Sequence, residues 1–276
     1  VLGPFVASVD WITRPITREV FNPSYPDNDD AVLDALEDLS SRAGGVWNRS
    51  SEGSRRPLVI ITGYRAPRLQ GALLRDHLQR LTGLPDSRVL VHSYWPEDRP
   101  EQIVHDLTRA VAEAFGSVAE GRTVEVDAVG VSMGGVLARL AALTPNQVLT
   151  GEMPARPVLS VRRLFTLASP HRGARLADRI ALDPAARTLR TDSSTLARLN
   201  ALPQPPGQEW TCYAVLNDRW VGARNTAPPG MHPIWVPGPR IGAHMSVSFN
   251  PRVLADLARR LTGLPPLGHP SAPPSD

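Results

Sequence analysis

The sequence predicts an α/β fold built on a doubly wound, mainly parallel sheet, and three observations carry that expectation. From residue 57 onward, short apolar runs rich in β-branched residues take turns with stretches of helical periodicity. Such alternation calls for crossover connections, which generate parallel strands covered on both faces. The run PLVIITGY is continuously apolar, as a strand buried on both sides must be. No repeat of twenty to fifty residues stands out, which removes solenoids and propellers.

In order, Pro, Asn and Asp crowd residues 22–30 ahead of a helix over 31–42, with Ala31, Leu33, Leu36 and Leu39 on one face. After the polar SSEGSRR come a strand over 57–64, a helix over 69–81 and the strand RVLVHSY over 88–94. The helix over 100–115 turns Ile103, Leu107, Ala110, Val111 and Ala114 inward. The strand TVEVDAVGV, 123–131, runs into a helix over 133–143, and VRRLFTLAS, 161–169, is the next strand. An irregular helical region over 173–202 precedes the strands WTCYAVLN, 210–217, and HPIWVP, 232–237, and a last helix over 251–261. The organisation expected is a lead-in at 1–57, one domain at 58–264 with a small cap at 173–209, and a frayed Pro-rich tail at 265–276.

With 276 residues and 42% hydrophobic content the chain suits one domain with a substantial core. All 30 basic residues are Arg, set against 27 acidic ones, and none forms a basic block suited to nucleic acid. The 28 prolines are about twice the usual share of roughly 5% and point to rigid loops. Cys212 stands alone, so no intrachain disulfide forms and the redox compartment stays open. The opening VLGPFVASVDWI is too short to span a bilayer and no run approaches ~20 apolar residues, so no integral membrane segment is expected. A chain beginning at Val1 leaves room for a removed targeting signal, and the remainder reads as soluble.

The chemistry centres on Gly130-Val131-Ser132-Met133-Gly134-Gly135, which follows one expected strand and opens an expected helix. G-x-S-x-G in that setting forms a nucleophile elbow: glycines admit close backbone neighbours and the serine hydroxyl is thrust out beyond the strand. The plainer alternative makes Ser132 an ordinary N-cap. VDAVGVSMGGVLARLAAL resembles the nucleophile segment of lipases and esterases of the α/β-hydrolase superfamily, with Val131 where those often carry His. FTLASPHRG is similar to the strand and turn that line the pocket in such proteins. The resemblance follows the element order from Leu58 to Leu261 and implies an α/β-hydrolase fold; residues 1–57 resemble nothing identified.

Acyl transfer needs two converging N–H groups for the oxyanion. One is expected from Met133 and the other from Tyr64 in the loop Thr62-Gly63-Tyr64-Arg65, with Arg65 as the neighbouring alternative and Gly63 as the turn glycine. Chain order Ser, acid, His filters the seven histidines. His77, His92 and His105 come too early, and His269 lies in the tail. Of His171, His232 and His244, the last sits between the final strand and final helix, where this fold carries its base. Asp218 ends a strand in NDRWVGARNTA, which resembles the acid loop of esterases; it lies 86 residues after Ser132 and 26 before His244. Asp183 and Asp192 are weaker candidates.

Gly63, Arg65, Val131, Pro170 and His171 are expected at the substrate pocket, His171 as a wall. Trp210, Trp220, Trp235 and Met245 are either pocket lining or core. A small cap implies an open cleft. The function expected is cleavage of small-molecule or lipid carboxylic esters by a Ser132-His244-Asp218 triad, without cofactor or metal. An acyltransferase using the same triad, a silent binding module and a peptidase of the same fold are the rivals. Oligomeric state is not legible.

Overall fold

The computed structural model describes residues 29–49, 56–118, 121–144, 147 and 157–274. In chain order the strands are β1 (Leu58–Ile61), β2 (Val89–His92), β3 (Ser117–Val118), β4 (Arg122–Thr123), β5 (Val126–Val131), β6 (Val161–Leu167), β7 (Glu209–Val215) and β8 (Ile234–Val236). Six of them form one sheet in the order β2-β1-β5-β6-β7-β8, with every pairing parallel. The chain steps outward from β1 to β2, then returns to β5 and steps the other way. That reversal opens a crevice beyond the carboxyl ends of β1 and β5, the place where open α/β sheets bind ligands.

Period-two alternation divides the strands between two cores. Leu58 and Ile60 of β1 pack toward α1 (Asp29–Arg49), α2 (Arg68–Thr82) and α9 (Pro251–Leu261), whereas Val59 and Ile61 pack toward α3 (Pro100–Phe115) and α4 (Met133–Ala141). The doubly wound sheet of the sequence reading is therefore present. Three short helices, α5 (Arg175–Arg179), α6 (Pro184–Thr188) and α7 (Ser194–Ala201), follow β6, and α8 (Ala243–Ser246) follows β8.

Several local expectations need correction. In α1 the buried face is Val32, Ala35, Leu36 and Leu39, while Leu33 is 40% exposed, because packing on α2 and α9 selects a stripe one residue over. Ala114 of α3 faces solvent. The expected strand over 123–131 is two pieces: Thr123 pairs with Ser117 in the antiparallel β3-β4 pair, and the main sheet starts at Val126. Gly116, at φ 95, turns the chain there, and its carbonyl accepts from the Val124 amide.

The Pro-rich tail is docked where fraying was expected. Buried Asp256 accepts from the amides of Leu267 and Gly268 at 2.7 and 2.9 Å, and Trp235 Nε1 donates to the Ser271 carbonyl at 2.9 Å. Among the described residues no helix is long and apolar enough to cross a membrane.

Candidate active site

The chain leaves β5 at Val131 and enters α4 at Met133, so Ser132 alone makes the reversal, at φ 51 and ψ −122. An L-residue pays strain to sit there, and the surroundings must hold it. A Cβ on Gly130 would stand 2.3 Å from the Gly135 nitrogen, and one on Gly134 2.2 Å from the Ile61 oxygen. Both obstacles are backbone and cannot swing aside, so these two positions require glycine. Ser132 occupies the N-cap position of α4 but its side chain caps nothing, which removes the plain N-cap alternative.

Its hydroxyl instead meets His244, with Oγ to Nε2 at 2.9 Å. His244 lies on α8, and its Nδ1 is 2.8 Å from Asp218 Oδ2. A carboxylate oxygen accepts at Nδ1, which suits the tautomer with the ring proton there and the Nε2 lone pair toward Ser132. Asp218 Oδ1 accepts from the amides of Trp220 and Val221 at 2.9 and 3.0 Å, so both carboxylate oxygens are occupied and the group is fixed. The Trp220 ring lies over His244 with centroids 5.2 Å apart.

The loop after β1 passes directly against this elbow: a Cβ on Gly63 would stand 3.2 Å from Ser132 Cβ. Met133 opens α4, so its N–H has no carbonyl one turn back in the helix. The Tyr64 amide makes no bond to a backbone carbonyl among the described turns and loops. The Tyr64 hydroxyl donates to Asp183, and burial followed by that carboxylate pushes it up to about 12.

A cavity of about 340 Å³ opens over Ser132 and His244. Gly63, Tyr64, Arg65, Val131 and Pro170 border it, as do Trp220 and Met245. The segment after β6 contributes Ala174, Leu176, Ala177, Ile180, Ala186 and Leu189, which makes the walls mainly apolar. Trp210 and Trp235 are elsewhere: Trp235 is core, and Trp210 lies under the Arg139 guanidinium at 4.8 Å.

His171 corrects the sequence reading. It is fully buried, does not border the cavity, and contacts Arg139 through Nδ1 and Thr166 Oγ1 through Nε2, each at 3.2 Å. The turn Pro170-His171 exposes its proline to the cavity and folds its imidazole inward, onto a helix whose guanidinium needs an acceptor. The other histidines stand apart from the serine. His77 packs edge-on to Phe249, His92 stacks on Tyr94, and His105 contacts Asp106. Asp192 is exposed beside Arg190, and Asp183 bonds to Tyr64 and Arg65. Sequence reasoning missed Pro67 and Gln70, which line the cavity from the start of α2, and the tie from Asp183 to Tyr64. Asp183-Pro184 carries a helix-start signal that marks the N-cap but not its distant partners.

No protein-family model matches the chain, and no curated protein matches it in sequence. Among solved structures it is similar to the mature form of Bacillus licheniformis lipase BlEst2, with 16% identity and a TM-score of 0.44 over 60% of this chain and 68% of that one. It is also similar to Legionella pneumophila phospholipase PlaB, with 15% identity and a TM-score of 0.45, spanning 59% of this chain but only 38% of that protein. A third similar structure is the lin2722 product of Listeria innocua, with 12% identity and a TM-score of 0.47 over 75% of this chain and 93% of that one. The reversing parallel sheet with its strand–turn–helix elbow is the α/β-hydrolase fold.

Proposed function

We propose that the chain hydrolyses carboxylic esters through an acyl-enzyme, with Ser132 as nucleophile, His244 as base and then acid, and Asp218 as the carboxylate that orients it. The observation that carries this reading is the pair of hydrogen bonds Asp218–His244 and His244–Ser132, 2.8 and 2.9 Å, ending at a strained serine under an apolar cavity. In the first step His244 Nε2 takes the Ser132 proton as Oγ bonds to the ester carbon. Asp218 stabilises the resulting imidazolium. The carbonyl oxygen becomes an oxyanion and accepts from the amides of Met133 and Tyr64; one such donor is worth about 3 kcal/mol in the transition state.

Collapse then breaks the carbon–oxygen bond to the alcohol, which leaves with the proton from His244, and the acyl group stays on Ser132. Water attacks the acyl carbon while His244 takes its proton. A second collapse releases the acid and returns the proton to Ser132 Oγ. No diffusible cofactor enters any step.

The apolar walls favour esters with hydrocarbon to bury. Each buried methylene contributes about 0.8 kcal/mol, so kcat/KM is expected to rise about tenfold from acetate to butyrate esters of one alcohol. Turnover of p-nitrophenyl acetate and butyrate by wild type and Ser132→Ala tests the proposal. Loss of about 10⁵–10⁶ in kcat in the variant supports it, and turnover equal to wild type in a clean preparation overturns it.

A further inference from the structure

The loop carrying the Tyr64 amide is not self-supporting. Arg65 sits at φ 50, in the left-handed region where a side chain is unfavourable, and within the loop the Ala66 amide bonds back to the Gly63 carbonyl at 3.2 Å. The hydrogen-bonded outside hold on Tyr64 and Arg65 comes from one carboxylate, Asp183, in the segment after β6. Asp183 Oδ2 accepts from the Tyr64 hydroxyl and from Arg65 Nη2, the latter at 3.0 Å, while Oδ1 accepts from the Ala186 amide at 2.8 Å as the N-cap of α6. Arg65 is further held with its guanidinium 4.9 Å from the Trp95 ring centroid. Asp183 is itself buried, yet it borders neither the cavity nor Ser132 and His244, so substrate contact does not explain it.

We propose that Asp183 is a positioning residue for the oxyanion-binding loop: by gripping Tyr64 and Arg65 from the segment after β6 it fixes the Tyr64 amide toward the carbon that Ser132 attacks. This rests on the reading of Tyr64 and Ser132 given above. Burial alone would raise the Asp183 carboxyl, but the Tyr64 hydroxyl, the Ala186 amide and the Arg65 cation outweigh it and hold the group below the usual carboxylate range. It therefore stays an ionised acceptor at neutral pH. The Arg65 side chain is 46% exposed, so that ion pair is screened and the Tyr64 hydroxyl is the stronger strut. A donor displaced by a fraction of an ångström fails the transition state while ground-state binding hardly changes, so the effect belongs in kcat.

Asp183→Asn removes the charge while keeping a good helix cap, and Tyr64→Phe deletes a single hydroxyl. Both are compared with wild type by p-nitrophenyl butyrate kinetics and by amide hydrogen exchange of the 63–66 segment without substrate. In Asp183→Asn, kcat is expected to fall about tenfold with KM within about twofold, and the Ala66 amide, which bonds to the Gly63 carbonyl, to exchange faster. Tyr64→Phe moves both readouts in the same direction, and Asp192→Asn, an exposed carboxylate beside Arg190, moves neither. Wild-type kcat with wild-type exchange overturns the proposal, as does a raised KM at unchanged kcat, which would place Asp183 in substrate binding. If Ser132→Ala retains full turnover, the catalytic reading falls, and loop exchange alone decides the clamp: faster in Asp183→Asn supports it, unchanged overturns it.

Discussion

Two buried imidazoles lie near the carboxyl end of the sheet, and their surroundings give them opposite properties. His244 turns Nδ1 to the Asp218 carboxylate, which accepts, so Nε2 is left facing Ser132 Oγ, the arrangement the proposed base requires. His171 turns Nδ1 to the Arg139 guanidinium, which only donates, so Nδ1 must accept and the proton sits on Nε2, given to Thr166. Neither nitrogen of His171 is left for a substrate. Burial and then the Arg139 charge lower its pKa well below 6.5, which keeps it neutral. The lesson is that the partner of the far nitrogen decides whether a buried histidine is a base or a brace. Arg139 completes the brace: it donates to Asn200 Oδ1 at 2.9 Å and to the Leu199 carbonyl at 3.0 Å, tying α4 to α7. Burial pushes its guanidinium down to about 10.

The contrast breaks most visibly under substitution. His244→Ala is expected to lower kcat by about 10⁵ or more, whereas His171→Leu lowers it by less than about tenfold; comparable losses in two folded variants would erase the distinction. Asp218→Asn, which reverses the proton on His244 without moving it, is expected to cost about 10⁴ in kcat at little cost in stability. His171→Leu should instead show in urea unfolding, losing about 1–3 kcal/mol because the two buried bonds to Arg139 and Thr166 are removed. An unchanged urea midpoint would mean the brace carries no load.

A smaller effect concerns pH. Burial lowers the pKa of His77 and His171 and takes His92 down to about 4, below the ordinary 6.5. Below about 6.5 the unfolded chain takes up protons that the folded chain refuses, so stability is complete above that pH and drains away as pH falls toward 4. Thermal melts from pH 7.5 to 4.5 should show a falling Tm, less steep in His171→Leu; a flat profile would argue against buried neutral histidines.

Much of this was legible in the sequence, for physical reasons. A short continuous apolar run such as LVII, rich in β-branched residues, suits a strand covered on both faces, and G-x-S-x-G between an expected strand and an expected helix suits a tight turn. Chain order then singled out Asp218 and His244; His244 lies against Ser132, and Asp218 against His244. What escaped depended on partners distant in sequence. Nothing around His171 announces that Arg139 will lie against it, and nothing around Asp183 announces Tyr64. The tail looked frayed because proline suggests open coil, yet Asp256 inside α9 supplies an acceptor for its amides. The α1 face was right at Leu36 and Leu39 but one position off at its start, where Val32 and Ala35 are buried, because local periodicity does not say which neighbour a helix will meet.

The central claim is that His244, and not His171, activates Ser132. Labelling by a fluorophosphonate probe tests it most directly, with wild type beside Ser132→Ala, His244→Ala and His171→Leu, each shown to be folded. Labelling of wild type and His171→Leu with loss in the other two is the expected result. Undiminished labelling of His244→Ala, or none in folded wild type, would contradict it.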